Sequence, residues 1–439
     1  MIDKITKAIK YGENLGASEV FIVGELLREK SFEILVGNVK SEQKTTGGLQ
    51  VIVSVGKKHG SAYTTSLEEK DIFKAVEDAI SIAKNSEEDP EWPGIPNATE
   101  KFERKEKVEE IPFEEIGKVV GDIFRSIAGE DRFLYIAGYT WVYEEKYVAS
   151  SYGAEIIESN AGCGIFTEAS VKTDKGASPG IFDLKVSKTP IVDVSDFIDE
   201  IQFLLDKAKI LIKAEDTELD MIMHPMATSG LLTYGFVPGI KGDSVHKKSS
   251  RFLNKVGEKI FSEKITIYDD PRNKDAISYS FYDFDGIPTR KTTIVDKGRL
   301  REFLWNYYWA KLAGTESTGN GFRAPRTGEY DIRAINLTIE PGKKPLSEII
   351  GDISRGVYVM SFQGVHSTNP DSGMFSVMAN PAFYIEDGEI KGCLLGAAIT
   401  DNVDSVFSRV EEVSSTVMYN MTTTLPWVLV KNIRITSRI

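Results

Sequence analysis

The chain has 439 residues with a formal net charge of −13, and 41% of its residues are hydrophobic. This length is typical of two or three domains, and the acidic balance argues against a protein that binds nucleic acid through basic contacts to phosphates. Two cysteines exclude a scaffold built on several disulfides, and four histidines are the whole supply of imidazole ligands for a metal.

The N-terminal part of the sequence predicts amphipathic helices beside strands. Apolar residues at helical spacing predict a first helix that ends at Gly16. Ser66 followed by Glu69 predicts a capping box at the start of a second helix. Strands are expected at residues 19–26, 31–36, 49–55 and 61–65, the last two forming a hairpin around residues 56–60.

The middle of the chain begins with a change in composition. Residues 85–112 contain four prolines among Glu and Lys, which predicts an exposed crossing segment rather than core. An amphipathic helix is expected to start at Phe113. Strands should then dominate residues 133–186, with turns at Gly153 and Gly162.

The C-terminal half is richer in predicted strands. Turns at Gly286, Gly298 and Gly388 predict hairpins, because each glycine follows polar turn residues and can adopt the positive φ that such turns need. Helices are expected at about residues 226–234, 305–313 and 346–354, and strands at about residues 332–339, 356–362 and 375–386.

These elements predict an α+β protein of two domains. A long helix over about residues 195–213 should complete the first domain, and residues 214–218 are the expected boundary. Residues 1–213 are predicted to form an N-terminal α/β domain of hairpins, antiparallel sheet and amphipathic helices, and residues 219–439 a C-terminal strand-rich domain.

The sequence shows no signal for a membrane. No stretch approaches the roughly 18 uninterrupted apolar residues that a spanning helix needs. The first residues form no apolar run, and Asp3 and Lys4 come early. We therefore expect a cytoplasmic protein that binds neither membrane nor nucleic acid.

His224 lies where a predicted strand meets a predicted helix. A metallopeptidase of the His-Glu-x-x-x-His type needs two imidazoles about one helical turn apart and a carboxylate that deprotonates water. Here Pro225 occupies the glutamate position and Ser229 the position of the second histidine, and neither side chain can take those roles. A structural role for His224 and a role as a metal ligand both remain open.

Other residues that could carry chemistry are scattered. His246 lies in a predicted polar loop and His366 in a loop dense in turn-forming residues, so each is either solvated or part of a binding site. Ser178 lies in a Gly-x-Ser-x-Gly string, but polar residues precede it and an extended segment follows, which favours a turn over a nucleophile elbow. Cys163 and Cys393 are expected to be buried, inert thiols.

A series of short motifs in a fixed order resembles the TldD/PmbA family, also called the modulator of DNA gyrase proteins, and within it the PmbA or TldE branch. The motifs are Gly16-Ala17, Gly47-Gly48-Leu49-Gln50-Val51, Gly60-Ser61-Ala62-Tyr63-Thr64-Thr65, Asp269-Asp270-Pro271, Phe284-Asp285-Gly286-Ile287-Pro288-Thr289, Ser317-Thr318-Gly319-Asn320-Gly321, Glu340-Pro341-Gly342, Arg355-Gly356-Val357-Tyr358-Val359 and Asp371-Ser372-Gly373-Met374-Phe375-Ser376. They extend over nearly the whole chain.

The resemblance implies a role in proteolysis. TldD members of the family are zinc metallopeptidases with His-Glu-x-x-x-His and a distant cysteine as third ligand. PmbA members lack this set and pair with TldD in a complex that cleaves unfolded peptides, including a microcin precursor and an antitoxin. The resemblance further implies that the peptide enters a channel between the subunits and is held through its backbone as an added strand.

The family pattern can be placed on this chain residue by residue. His224 retains the first ligand position, and the third-ligand region at residues 419–427 contains no cysteine. The resemblance therefore implies a non-catalytic subunit with no catalytic residue and no metal of its own. Zinc is expected in a TldD-type partner, with which the chain pairs unless it forms a homodimer. The sequence does not identify substrate-binding residues.

Two alternatives remain open. The chain could be a stand-alone metallopeptidase whose rearranged site uses His224, His246 or His366 with carboxylates, although no two of these histidines have a recognisable metal-ligand spacing. It could instead be a non-enzymatic regulator of DNA gyrase, as the older family name suggests.

Overall fold

Two large β-sheets with helices packed against them make up the described residues, 1–106 and 110–438, of this computed structural model. The helices are α1 (Ile2–Asn14), α2 (Glu69–Asn85), α3 (Phe113–Ile127), α4 (Ser195–Ala208), α5 (Pro225–Leu231), α6 (Val237–Ile240), α7 (Gly242–His246), α8 (Tyr307–Ala313), α9 (Leu346–Gly351) and α10 (Val403–Ser408). A π-helical turn (Leu232–Phe236) follows α5, and a 3₁₀ turn (Val365–Ser367) lies further on. The predicted α+β class is confirmed.

The first sheet is antiparallel over most of its width. Its strands are β1 (Glu19–Leu35), β2 (Asn38–Val55), β3 (Lys58–Thr64), β4 (Lys101–Arg104), β5 (Arg132–Ser150), β6 (Glu155–Thr173), β7 (Gly176–Ala177) and β8 (Ile181–Ser187). Their order is β3-β2-β1-β5-β6-β4, and β7 and β8 also pair with β6. The predicted hairpin between β2 and β3 is confirmed.

The second sheet is larger and mixed. Its strands include β9 (Leu211–Lys213), β10 (Thr217–Met223), β11 (Ile267–Asp269), β12 (Thr292–Asp296), β13 (Arg299–Leu300), β16 (Leu337–Ile339), β17 (Arg355–Val359), β18 (Phe362–Gln363), β19 (Met374–Ala379), β20 (Ala382–Glu386), β21 (Glu389–Leu395), β22 (Ala397–Asn402), β23 (Val410–Tyr419) and β24 (Thr423–Ser437), while β14 (Gly321–Ala324) and β15 (Glu329–Ile332) form a separate hairpin. The main order is β13-β12-β11-β16-β24-β10-β17-β20-β21-β9.

Several local predictions for the first half are wrong. The strands expected at residues 19–26 and 31–36 are one strand, β1, because β2 and β5 pair with it on both sides and keep the backbone between them extended. The capping box is absent, because the Ser66 hydroxyl donates to the Asp71 carboxylate (2.6 Å) and α2 begins only at Glu69.

Two further predictions fail between residues 150 and 213. Gly162 makes no turn but lies within β6, opposite Val142 of β5. The helix expected to reach residue 213 ends at Ala208, because residues 211–213 form β9 and pair in parallel with β21 at the edge of the second sheet.

The segment 85–112 is only partly the exposed crossing that its composition predicts. Ile95 is 1% exposed and packs with Phe21 and Val148, and β4 pairs in parallel with β6. The apolar residues between the prolines therefore join the core of the first half. Residues 107–109 lie outside the described residues.

In the second half, the hairpins at Gly298 and Gly388 are confirmed, whereas the turn at Gly286 joins segments linked only by an isolated bridge. The strand expected at 332–339 is divided between β15 and β16, because the Asp269 carboxylate accepts the N–H groups of Ile335 and Asn336 (3.0 and 2.7 Å) and withdraws them from the ladder. The strand expected at 375–386 is likewise divided, into β19 and β20, by Asn380-Pro381.

The helices of the second half lie close to their predicted places. The helix expected at 305–313 begins at Tyr307, because the Asn306 side chain accepts the Trp309 N–H (3.0 Å) as its N-cap. The helix expected at 346–354 is α9, which ends at Gly351.

The hydrophobic core does not divide cleanly at the predicted domain boundary. One buried cluster contains side chains from both sides of residues 214–218, among them Tyr139 and Phe197 from the first half and Tyr358 and Trp427 from the second. The division at 213 and 219 stays a prediction. Within the described part of the chain, no helix is both long and apolar enough to cross a bilayer.

Candidate functional site around His224

The local sequence makes His224 the cap of a helix. β10 ends at Met223, the backbone N–H of His224 donates to the Val359 carbonyl (2.9 Å), and α5 starts at Pro225. The His224 Nδ1 atom accepts the N–H of Met226 (3.2 Å). Proline suits the first helical position because the N–H that it lacks would have no partner there.

This cap decides which atoms of the imidazole are available. Because Nδ1 accepts a hydrogen bond, the neutral ring carries its proton on Nε2. A ring in this state offers no free lone pair to a metal. His224 is 1% exposed, and burial lowers its pKa to about 3, which keeps the ring neutral.

Aromatic side chains enclose the His224 ring. Trp427 meets it edge-on at a centroid distance of 5.1 Å, and Tyr358 does so at 6.2 Å. The Trp427 indole N–H donates to the Tyr358 hydroxyl (2.9 Å), which holds both rings in place. The third-ligand region of the family pattern therefore contributes packing to His224 rather than a thiolate.

A pocket of about 240 Å³ opens beside His224 between the two halves of the chain. It is lined by residues of β8 and α4 and by residues of β23 and β24: Asp183, Leu184, Lys185, Val186, Asp196, Phe197, Glu200, His224, Val417, Met418, Tyr419 and Trp427. Its charged side chains are mostly acidic, so the pocket favours a cationic ligand over an anionic one.

Asp183 is the most unusual of these side chains. It is 4% exposed, and its carboxylate accepts the N–H of the adjacent Leu184 (2.8 Å). Burial, and after it the negative charge of Glu200, raise the pKa of Asp183 to about 7. Near neutral pH this carboxyl group can therefore bind or release a proton.

The donor set does not fit the zinc that the family resemblance implies for a catalytic member. In the part of the chain that the structure describes, no three His, Cys, Asp or Glu side chains are grouped so that they could hold a metal ion. Pro225 is buried at the first turn of α5, and Ser229 lies half-buried in the same helix. A structural zinc site needs four ligands and a catalytic one usually three, whereas His224 stands alone here.

The other histidines lie apart from His224. His246 is exposed at the end of α7, not in the predicted loop, and packs against Trp309 at a centroid distance of 5.6 Å. His366 is exposed in the 3₁₀ turn, and His59 stacks on Trp92 at 4.1 Å. None of the three lines the His224 pocket.

The remaining sequence candidates have structural surroundings. The Ser178 hydroxyl accepts the N–H of Val171 (3.1 Å) and donates to the Pro179 carbonyl (3.0 Å), as expected for a turn. Cys163 and Cys393 are buried free thiols, and burial raises the pKa of both, that of Cys393 to about 12.

Sequence reasoning missed Asp183, although a weak signal exists. Ile181 and Asp183 occupy alternate positions of β8 and both point inward, while Phe182 between them is exposed. A carboxylate on the apolar face of an alternating strand is unusual enough to single out. That Asp183 and His224 line one pocket could not be foreseen, because Asp183 lies on β8 of the first sheet and His224 follows β10 of the second.

Comparisons with known proteins agree with this fold. The profile of the PmbA/TldA metallopeptidase C-terminal domain matches residues 216–437, and that of PmbA/TldA metallopeptidase domain 1 matches residues 31–83. The crystal structure of TldE from Thermococcus kodakarensis is 30% identical in sequence, covers 99% of this chain and 100% of its own, and superposes with a TM-score of 0.92.

Two more distant relatives extend the comparison. A metalloprotease from Methanocaldococcus jannaschii is 24% identical over 94% of this chain and 92% of its own. A Thermotoga maritima protein described as a candidate modulator of DNA gyrase is 20% identical, with a TM-score of 0.84 and 99% coverage of both chains, and this likeness bears on the fold alone.

Proposed function

Because this chain belongs to the PmbA/TldD metallopeptidase family, we propose that it is a non-catalytic, TldE-like subunit of a cytoplasmic TldD/TldE-type complex that degrades unfolded peptides. In this proposal the TldD-type partner supplies the zinc and the groups that activate water. This chain supplies part of the wall along which the peptide is held.

The state of His224 is the observation that carries the proposal. Its Nδ1 atom caps α5, its ring is enclosed by Trp427 and Tyr358, and Pro225 and Ser229 stand where a base and a second ligand would be needed. A stand-alone peptidase would need His246 or His366 beside it, and neither lines the His224 pocket.

An open strand edge supports the contact with a peptide or partner. In β2, residues 38–48 pair with β1 on one side, whereas β3 begins to pair with β2 only at Leu49. Among the described residues nothing pairs with the other edge of this stretch. Unpaired backbone N–H and C=O groups of this kind accept an added strand.

The proposal is tested by assaying this chain alone and mixed with a TldD-type protein from the same cell. We expect far less than about one zinc per chain by elemental analysis, no hydrolysis of unfolded casein by the chain alone, and chelator-sensitive hydrolysis in the mixture. Size-exclusion chromatography should show a complex that contains both chains.

Two variants make the test specific. A chain that carries about one zinc and cleaves casein unaided, with activity lost in His224→Ala but kept in the control His59→Ala, would overturn the proposal, because His59 stacks on Trp92 and is not a candidate ligand. Capture of DNA gyrase from a native lysate without any TldD-type protein would support the regulatory alternative instead.

A further inference from the structure

Two adjoining cavities lie next to the His224 pocket, and the smaller one shares Val186 with the lining of that pocket. They have volumes of about 190 and 140 Å³ and run between the face of β5 and β6 and a segment of the second half at residues 277–284. Both are lined by Glu144, Asn160 and Ser278, so these three residues mark their junction.

The smaller cavity is apolar and exists because two residues of its floor lack side chains. Val142 of β5 pairs with Gly162 of β6, and Thr140 pairs with Gly164. A Cβ atom at Gly162 would lie 3.3 Å from the Ile277 side chain, so a larger residue there would occupy the space. The remaining lining is largely aliphatic or sulfur-containing: Ala161, Cys163, Val186, Ile277 and Met421.

An unpaired carboxylate stands where the two cavities meet. Glu144 is half-buried, and no described residue places a cation within ion-pair distance of its carboxylate or donates a hydrogen bond to it. Burial, and after it the charge of Glu25, raise the pKa of Glu144. Neither oxygen of this carboxylate is among the fully buried side-chain atoms that lack a partner, so it stays accessible from the cavity and a cationic group of a ligand can pair with it.

The neighbouring cation cannot serve Glu144, because it is already paired. Lys146 lies two residues further along the same face of β5, where its ammonium contacts Glu158 (2.9 Å) and the Ser280 hydroxyl (2.7 Å). Across the junction, the Asn160 Oδ1 atom accepts a hydrogen bond from Arg104 (2.9 Å). Glu144 is therefore the acidic group that remains open to a ligand at this point.

We propose that the paired cavities form a subsite for a lysine side chain of a bound peptide, with its aliphatic stem in the smaller cavity and its ammonium on Glu144. A lysine side chain combines an apolar stem with a compact cation, and this matches an apolar cavity that ends at a carboxylate. The subsite rests on the proposed function, because it assumes that this chain holds peptides.

The test measures binding of labelled, N-acetylated unfolded peptides to the full chain by fluorescence anisotropy. The peptides differ at one position, which is lysine, norleucine or glutamate. Norleucine keeps most of the stem and lacks the ammonium. We expect the lysine peptide to bind at least about tenfold more tightly than the norleucine peptide, and the glutamate peptide to bind most weakly.

Variants assign the preference to the cavity. Glu144→Gln should abolish the difference in affinity between the lysine and norleucine peptides without weakening binding of the norleucine peptide. Glu155→Gln should change neither affinity, because Glu155 is an acid of β6 with a 38% exposed side chain that pairs with Lys101. Gly164→Val should fill the smaller cavity and weaken the binding of both peptides. A Cβ atom at this position would lie 3.4 Å from the nearest side-chain atom, which belongs to Val186, so the variant should still fold.

Several results would overturn the subsite. The first is equal binding of the lysine and norleucine peptides by the wild type. The second is a preference for lysine that survives Glu144→Gln. The third is tight, Glu144-dependent binding of lysine-free peptides only when their N-termini are not acetylated, because the bound cation would then be the terminal amine. Zinc content and partner-dependent hydrolysis of a lysine-free peptide are measured separately, so failure of the subsite and failure of the proposed function remain distinguishable.

Discussion

His224 and Asp183 line one pocket, and burial shifts their pKa values in opposite directions. The imidazole loses its proton more readily when buried, and the carboxyl group keeps its proton longer, because burial disfavours the charged form of each. Both groups are therefore largely neutral between about pH 3 and pH 7 in the folded chain. The sequence singles out His224 through its motif, but it cannot reveal that His224 and Asp183 share a pocket.

The pH dependence of stability should show both shifts. The pKa of His224 is about 3 in the folded chain and returns to its ordinary value of 6.5 on unfolding. As the pH falls below about 6.5, the unfolded chain therefore binds a proton that the folded chain does not, and the free energy of unfolding decreases. The pKa of Asp183 is about 7 in the folded chain and returns to 3.8 on unfolding. As the pH rises from about 4 to about 7, the unfolded chain therefore loses a proton that the folded chain keeps, and the free energy of unfolding decreases. Between about pH 4 and pH 6.5 the two effects on the free energy of unfolding oppose each other.

Asp183→Asn removes the group that must ionise in a buried place. The variant should raise the free energy of unfolding at pH 8 by up to about 4 kcal/mol.

The complementary variant is His224→Asn, which keeps a side-chain acceptor for the Met226 N–H. Its stability relative to wild type should improve as the pH falls from about 6.5 to 4. Urea unfolding over pH 4–8 measures both variants, with the exposed His366→Asn as control. Slopes identical to wild type in both variants would contradict the burial of these groups.

At the scale of elements, α2 and β3 approach each other backbone to backbone at Gly60. A Cβ atom there would lie 2.3 Å from the Ala79 carbonyl oxygen and 2.5 Å from the Ala83 nitrogen, so the helix would have to move. The sequence predicts both elements from local patterns. It does not predict how closely they pack, because that distance depends on residues of α2 and β3 together.

Gly60→Ala should destabilise the chain by about 2–3 kcal/mol or more, because backbone atoms cannot yield as a flexible side chain can. Gly351→Ala is the matched control, since nothing lies within 4 Å of its Cβ position and it closes α9. The control should be neutral or stabilising by up to about 1 kcal/mol. Denaturant unfolding compares the two, and equal stability of both variants would show that α2 does not contact β3 in this way.

Predictions at this scale succeeded where the signal was local. The helix that begins at Phe113 and the hairpins at Gly298 and Gly388 follow from apolar spacing and from the conformational freedom of glycine. They failed where a distant partner decided the outcome. The Asp269 carboxylate interrupts one predicted strand, and β21 draws residues 211–213 out of a predicted helix.

At the scale of the whole molecule, one carboxylate from the first sheet organises a loop of the second half. Glu158 of β6 is 1% exposed and accepts the N–H groups of Phe281 (2.8 Å) and Tyr282 (3.1 Å). Lys146 of β5 pairs with it at 2.9 Å, and the Arg104 guanidinium, which also pairs with Glu106, lies 3.6 Å from it. This buried pair joins the halves beside the proposed lysine subsite and shapes the larger cavity.

Glu158→Gln should cost about 3–5 kcal/mol of folding stability, because it leaves the Lys146 ammonium buried without a counter-charge. The double variant Lys146→Met/Glu158→Leu should recover part of this loss, since neither member of the pair remains charged and Arg104 keeps Glu106 as its counter-charge. Urea unfolding of the wild type, Lys146→Met, Glu158→Leu and the double variant gives the coupling energy. Additive losses would mean that the two side chains do not act as a pair.

The sequence by itself determined the α+β class, the family, and the lack of a glutamate and a second histidine beside His224, because each of these follows from residue types at fixed local spacing. Only the tertiary structure decided that His224 caps a helix beside Trp427, that Asp183 lines the same pocket, and that Glu144 stands unpaired at the end of an apolar cavity. Burial and electrostatic pairing depend on residues that the fold brings together from different strands, and a pattern along the chain does not contain those distances.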